Sequence, residues 1–156
     1  MKYNLLLLLT LISLCLSAQQ KPEYPKPKKG YKMVILELPK MDNEKDYKVE
    51  IAFGIESKIG ECSIPSFDFR GIKTEYLVPP YKWPYYVADA DTIEIIEGSN
   101  TDKTCTSTKQ ILRKIISSNK EIENYSSSFI RHFYIPENWT LEYRIWKSNP
   151  EYTSIK

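Results

Sequence analysis

Apolar and polar residues alternate with a period of two along most of the chain, which predicts β-strands. The clearest example is residues 47–54, YKVEIAFG, where Val49, Ile51 and Phe53 fall on one face. Residues 140–147, TLEYRIWK, alternate in the same way. The pattern therefore predicts a single, mostly antiparallel β domain. Shorter apolar runs bounded by glycine, proline or polar turns predict further strands at 32–38, 72–78, 85–96 and 128–136.

One segment departs from this pattern. Residues 109–123, KQILRKIISSNKEIE, place Ile111, Leu112, Ile115 and Ile116 at helical spacing. On the local pattern alone, we expect a helix there.

The N-terminus has the organisation of a secretory signal peptide. Lys2 supplies a positive charge, residues 5–16 are an apolar run, and small residues follow it. We expect export with removal of residues 1–18, since the run is short for a membrane span. Lipoprotein processing at Cys15 is the alternative, but the bulky Leu14 before it argues against that.

Charge and length limit the function classes open to the mature chain. The full chain has 22 basic and 20 acidic residues, so loss of Lys2 leaves 21 against 20 and a net charge of +1. No field of one sign would attract nucleic acid or a membrane surface, and we predict neither as a partner. The remaining length suffices for one domain with a substantial core.

Two cysteines, Cys62 and Cys105, remain after removal of the signal. An even pair in an exported chain predicts a disulfide. The chain-entropy model gives about 4 kcal/mol for closing a loop of this length. Two buried free thiols are the alternative. His132 is the only histidine, and these spacings match no zinc pattern, so no metal or other cofactor is predicted.

The sequence shows no set of residues that would make the chain an enzyme. His132 lies within a predicted strand, where a structural role is expected. The polar segment 98–109, GSNTDKTCTSTK, carries Cys105 and suits rigid display to a partner, because ordering a free loop on binding costs affinity. We expect a solvated strand face for the carboxylates Asp89, Asp91, Glu94 and Glu97.

Four sequence blocks, in order along the chain, resemble a known family. They are residues 24–38 (YPKPKKGYKMVILEL), 47–62 (YKVEIAFGIESKIGEC), 83–89 (WPYYVAD) and 134–147 (YIPENWTLEYRIWK). With both cysteines in place, the chain is similar to the ecotin family, the periplasmic inhibitors of chymotrypsin-fold serine proteases in Gram-negative bacteria. The resemblance implies a periplasmic, substrate-like inhibitor of trypsin-, chymotrypsin- and elastase-type proteases.

The resemblance also implies a fold and an assembly. The expected fold is a single-domain antiparallel β-barrel or sandwich of the ecotin type with one disulfide. Residues 19–31 form an extended arm and residues 32–146 the β domain, in which 109–116 is a strand rather than a helix. The resemblance further implies that residues 147–156 form a tail that pairs with the tail of a second copy, which would give a homodimer.

In the family, the P1 residue that fills the protease S1 pocket lies three positions before the second cysteine. Carried onto this chain, P1 is Asp102, Lys103 follows the cleaved bond, and Cys105 anchors the loop to Cys62. The stretch before Cys105 is longer than the family's, so Lys103 is the alternative P1. A trypsin-type pocket repels aspartate and attracts lysine. The implied reactive loop comprises Thr101, Asp102, Lys103 and Thr104.

A second surface is implied for the other subunit of the dimer, which would contact the same protease away from its active site. The implied patch comprises Tyr81, Lys82, Trp83, Asn124, Tyr125, Ser126 and Ser128. The aspartate at P1 and the longer loop motivate an alternative: a periplasmic binding protein of the same fold that has lost protease inhibition.

Overall fold

Eight strands and one short 3-10 helix, Glu44–Asp46, form the described part of the chain, which is residues 22–99, 105–148 and 154 of the computed structural model. This confirms the all-β class predicted from the sequence. The strands are β1 (Tyr31–Leu36), β2 (Tyr47–Gly60), β3 (Ser63–Tyr76), β4 (Pro84–Ser99), β5 (Gln110–Ile116), β6 (Glu121–Asn124), β7 (Arg131–Pro136) and β8 (Trp139–Lys147).

The strands form two four-stranded sheets arranged as an open sandwich. The first sheet has the order β1-β7-β4-β3. In the second, β2 carries β8 along one edge and β5 and β6 in succession along the other. Among the described strands, the pairings are antiparallel except β4 with β7, which run parallel. The predicted barrel or sandwich is therefore a sandwich without a closed barrel.

The core lies between the sheets and is built on alternate positions of β2. Val49, Ile51 and Phe53 are at most 1% exposed, which confirms the predicted apolar face. Trp139 at the start of β8 is also fully buried. Its ring centroid lies 5.8 Å from that of Phe53 and 5.3 Å from that of Phe67 on β3, so one indole joins the two sheets.

The opposite face of β2 holds a buried charge. Glu50 is 7% exposed, and Arg144 on β8 donates two hydrogen bonds to its carboxylate at 2.9 and 3.0 Å. Trp146 Nε1 donates a third at 3.2 Å. Burial opposes the ionisation of Glu50, but Arg144 and Lys120 hold its pKa below the usual range. Arg144 and Trp146 of β8 therefore share a partner, Glu50, within the fold.

Residues 110–116 form a strand, so the helix indicated by the local pattern is wrong and the strand implied by the resemblance is confirmed. Ile115 is 1% exposed, whereas Leu112 on the other face is 63% exposed. β5 pairs with β2 from Gly54 to Gly60 and satisfies backbone groups that β6 does not reach. This pairing outweighs the local periodicity.

Asp89 on β4 corrects a second expectation. Its side chain is buried, 2.8 Å from Lys73 Nζ and 3.7 Å from Arg70 Nη1, so the solvated position predicted for it is wrong. The hydrogen bond from Lys73 holds the pKa of Asp89 below its usual value, against the effect of burial.

The chain before β1 lies against the first sheet. Tyr134 donates a hydrogen bond to Pro25 O at 2.6 Å, and the Tyr24 ring stacks on His132 with 3.6 Å between centroids. Residues 22–28 form no helix or strand. Residues 1–18, the predicted signal peptide, lie outside the described part. None of the helical structure within the described ranges has the length and apolar character needed to cross a bilayer.

Candidate functional site

Two cysteines, one in the turn between β2 and β3 and one before β5, are joined in a disulfide. Cys62 and Cys105 are separated by 43 residues, and their Cα atoms lie 5.7 Å apart. The predicted disulfide is therefore confirmed, and the alternative of two free thiols is wrong. The bond connects the tight turn between β2 and β3 to the segment that leads into β5.

Two stems frame the predicted reactive loop. The entering stem, residues 97–99, is the end of β4, and its backbone pairs with β3 as far as Ser63 opposite Ser99. The leaving stem, residues 105–109, runs from the disulfide to the start of β5. The predicted reactive residues Thr101, Asp102, Lys103 and Thr104 lie outside the described residues.

Polar side chains fasten the entering stem to the β2–β3 turn. Ser63 Oγ lies 3.0 Å from Glu97 Oε2 and 2.6 Å from Gly60 O. Arg113 Nη1 on β5 donates to Ser63 O at 3.3 Å. Glu97 is exposed, as expected for a solvated strand face, and its carboxylate also reaches the turn beside the disulfide.

The leaving stem is fastened to the same turn. Ser107 Oγ donates to Glu61 Oε2 at 2.6 Å, and Glu61 N donates to Lys109 O at 2.8 Å. Both stems are thus attached to one four-residue turn, 60–63, which fixes the distance between the ends of the loop.

The first segment of the predicted second surface is the connection between β3 and β4. Leu77 N donates to Trp83 O at 2.9 Å and closes the turn. Lys82 has a φ of 45°, so the backbone reverses there in the left-handed region. Trp83 is 49% exposed and Tyr81 38% exposed, so both residues are accessible at the surface.

The second segment, residues 124–128, follows β6 and is held against the 3-10 helix. Ser127 N donates to Glu44 Oε2 at 3.2 Å, and Ser127 Oγ donates to the same carboxylate. These bonds hold the pKa of Glu44 below its usual value. Ser126 Oγ and Ser128 Oγ lie 3.0 Å apart and are within reach of solvent.

Tyr125 differs from its neighbours in this segment. It is 5% exposed, its backbone N donates to Tyr47 O at 3.1 Å, and its hydroxyl donates to Pro39 O. Burial raises the pKa of its phenol. The ring therefore packs in the core and supports the exposed serines, rather than presenting its own surface.

Comparison with known proteins bears on these features directly. A model of the ecotin family matches residues 20–148. The chain belongs to the ecotin family. A protein described as ecotin-like from Methylobacillus flagellatus is 26% identical over 138 residues, covering 87% of this chain and 81% of that protein. The ecotin of Serratia proteamaculans is 27% identical over 129 residues, covering 80% and 71% of the two chains.

Membership in the ecotin family implies inhibition of serine proteases, because ecotins are periplasmic protease inhibitors and not enzymes. His132 lies on β7 and stacks on the Tyr24 ring, its buried Nδ1 has no hydrogen-bond partner among the described residues, and burial lowers its pKa. The described residues contain no cluster of three or more side chains suited to holding a metal ion.

Sequence reasoning missed the side chains that fasten the stems of this ecotin-family loop. Glu61 and Ser107 are ordinary polar residues in the sequence, and their pairing depends on the register of β5 against β2. Their closeness in sequence to the two cysteines could have predicted the pairing. Glu61 precedes Cys62 and Ser107 follows Cys105 by two residues, so the disulfide brings the two side chains together.

Proposed function

We propose that the chain is a substrate-like inhibitor of chymotrypsin-fold serine proteases, with residues 101–104 as its reactive loop. The observation that carries the proposal is the Cys62–Cys105 disulfide, which ties the leaving stem to the turn that also holds the entering stem. Family membership supports the same conclusion. The chain acts after export to the periplasm, and residues 1–18 are its signal peptide.

The mechanism follows from attachment at both ends of the loop. The loop binds in the protease cleft as an added strand, with main-chain hydrogen bonds. The protease serine oxygen forms an ester with the P1 carbonyl as the peptide C–N bond breaks, and the released amine takes a proton. Because the disulfide holds that amine nearby, the reverse reaction re-forms the peptide bond and frees the serine.

The P1 residue in this proposal is Asp102, with Lys103 as the alternative register. An aspartate buried in an S1 pocket without a partner is costly, so Asp102 directs the inhibitor to proteases with a cationic pocket. Lys103 would instead meet the carboxylate of a trypsin-type pocket.

The proposed assembly is a homodimer formed through residues 147–156. Each protease then contacts the reactive loop of one subunit and the second surface of the other, at Tyr81, Lys82, Trp83, Asn124, Ser126 and Ser128, with Tyr125 supporting that surface from within. Two weak contacts on one rigid assembly give a higher combined affinity than either alone. Truncation after Trp146 is expected to leave a monomer at nanomolar concentration, and a truncated chain that stays dimeric would contradict the tail pairing.

The experiment that tests inhibition is incubation with catalytic amounts of trypsin-, chymotrypsin- and elastase-type proteases and an acidic-P1 protease. Residual activity is measured first, and the intact mass under reducing conditions is then determined. Cleavage at Asp102-Lys103 or Lys103-Thr104 with inhibition retained supports the proposal and fixes P1. Full activity of all four proteases at micromolar protein would contradict it and favour a binding protein that has lost inhibition.

A further inference from the structure

The leaving stem has an attachment to the β2–β3 turn besides the disulfide. Glu61 holds the stem twice: its carboxylate accepts a hydrogen bond from Ser107 Oγ at 2.6 Å, and its backbone N donates to Lys109 O at 2.8 Å. Lys109 N in turn donates to Ser107 Oγ at 3.2 Å. The Ser107 hydroxyl is therefore both donor and acceptor, which fixes its orientation toward the carboxylate.

The two stems differ in how much backbone pairing they have. The entering stem continues β4 and is paired with β3 up to Ser99. Within the described residues, 105–109 have no strand pairing. The disulfide, the Glu61–Ser107 bond and one backbone bond from Glu61 are what join this stem to the turn.

The charged acceptor makes the Glu61–Ser107 contact stronger than a bond between neutral groups, since a carboxylate accepts shorter and stronger hydrogen bonds. Both residues are exposed, so water competes for the same groups and limits the gain. The contact is suited to keeping the stem close to the turn rather than to stabilising the fold.

We propose that Glu61 is a positioning residue of the inhibitor, which with Ser107 retains the leaving stem when the disulfide is absent. The inference rests on the proposed function, because it is the amine at the start of this stem that must stay close for the cleaved bond to re-form. It predicts an inhibitor that keeps part of its action in a reducing environment, where a loop anchored by cysteines alone would become a substrate.

The test uses the full chain with both cysteines present and a matched Cys62→Ala/Cys105→Ala form. In each background, Glu61→Ala, Ser107→Ala and the double variant are compared for the rate of loop cleavage by an inhibited protease. Without the disulfide, we expect each single variant to be cleaved about fivefold faster, as for loss of one exposed hydrogen bond. The double variant should match the single ones, and the effect should be smaller when the disulfide is present.

Two controls separate positioning from general effects. Glu61→Gln keeps an oxygen that can accept the Ser107 bond and should restore most of the slow cleavage. Glu56→Ala removes the same charge and side chain from β2, away from the stem, and should cleave like the parent chain. Equal cleavage rates for Glu61→Ala and Glu56→Ala in the cysteine-free form would overturn the proposal.

Amide hydrogen exchange tests the attachment independently of any protease. Glu61→Ala should raise exchange at the Lys109 amide about fivefold, because the Ser107 hydroxyl that accepts its bond loses its own anchor. If the parent chain inhibits no protease, the proposed function fails, while this exchange still decides the role of Glu61. Unchanged exchange at Lys109 would overturn the inference even in a chain that inhibits well.

Discussion

The two segments proposed to contact a protease are attached to the same β-sandwich by different kinds of interaction. The reactive loop is attached through a covalent bond that spans 43 residues and through exposed polar contacts at its stems. Residues 124–128 are attached through the buried ring of Tyr125 and through the Glu44 carboxylate. The first can be loosened by chemistry that leaves the core intact. The second can be loosened only by disturbing the core or by neutralising one carboxylate.

The largest effect is expected when the covalent attachment, the Cys62–Cys105 disulfide, is removed. Replacing both Cys62 and Cys105 by alanine should lower the free energy of unfolding by about 4 kcal/mol, because the unfolded chain regains the freedom of a long loop. Urea denaturation measures the change.

The variant that lacks both cysteines should not loosen residues 124–128 locally. Amide exchange at Tyr125, which is bonded to Tyr47 O, should change only as much as global stability changes. A loss of stability below 1 kcal/mol would instead indicate that the stem contacts already restrict the loop in the unfolded state.

The next effect concerns the ring that holds residues 124–128. Tyr125→Ala should cost about 3 kcal/mol of unfolding free energy, since it removes a buried aromatic ring and leaves a cavity. Tyr125→Phe is the matched control: it keeps the ring, loses the hydroxyl bond to Pro39 O, and should cost about 1 kcal/mol.

In conditions where both Tyr125 variants are folded, cleavage of the reactive loop should proceed at the parent rate. The stems of the loop are attached to the turn at 60–63. Within the described residues, that turn forms no hydrogen bond with Tyr125. Faster cleavage in Tyr125→Ala than in Tyr125→Phe would show that the two segments are coupled, and the comparison would then fail.

The sequence predicts the sandwich well because burial follows a simple period. Val49, Ile51 and Phe53 occupy alternate positions of β2, and all three are in the core. The disulfide was predictable for a different reason: once Cys15 is assigned to the predicted signal peptide, Cys62 and Cys105 leave only one pairing. Neither inference requires knowledge of which strands are neighbours.

The failures occur where neighbouring strands decide the outcome. Residues 110–116 have apolar spacing compatible with a helix, but the open edge of β2 determines that they form a strand. The sequence predicts a solvated carboxylate for Asp89 on β4. Its side chain is instead buried beside Lys73, which lies on the neighbouring strand β3. Tyr125 was predicted within a contact surface, and only its packing against the core reveals that it supports that surface from within.

A smaller effect, on binding rather than folding, is expected at the exposed turn between β3 and β4. Trp83→Ala should weaken protease binding about tenfold, about 1.4 kcal/mol, because exposed aromatic rings are frequent hot spots. Its ring is 49% exposed, so the unfolding free energy should change little. Tyr76→Ala is the matched control, since Tyr76 ends β3 beside the same turn and is 65% exposed. Equal losses of affinity in the two variants would argue against a specific contact at Trp83.

The smallest effect is a local response of residues 124–128 to acid. Ser127 donates two hydrogen bonds to Glu44, and they hold the pKa of that carboxyl below its ordinary value of 4.5. Because the folded pKa is the lower one, the ionised carboxylate stabilises the segment above 4.5. That contribution is lost as the pH falls through the folded pKa. The disulfide of the reactive loop does not titrate, so acid loosens the second segment while the covalent attachment of the first remains.

The measurement is the amide protection factor of Ser127 as a function of pH. In the parent chain, protection should fall as the pH drops below 4.5 and through the lowered folded pKa of Glu44, whereas in Glu44→Gln it should be low and nearly independent of pH. Equal protection of the Ser127 amide in the parent chain and in Glu44→Gln would show that Tyr125 alone holds the segment. The two proposed contact surfaces would then differ in one respect: a disulfide attaches the reactive loop, and a buried ring attaches residues 124–128. Neither attachment would be sensitive to acid.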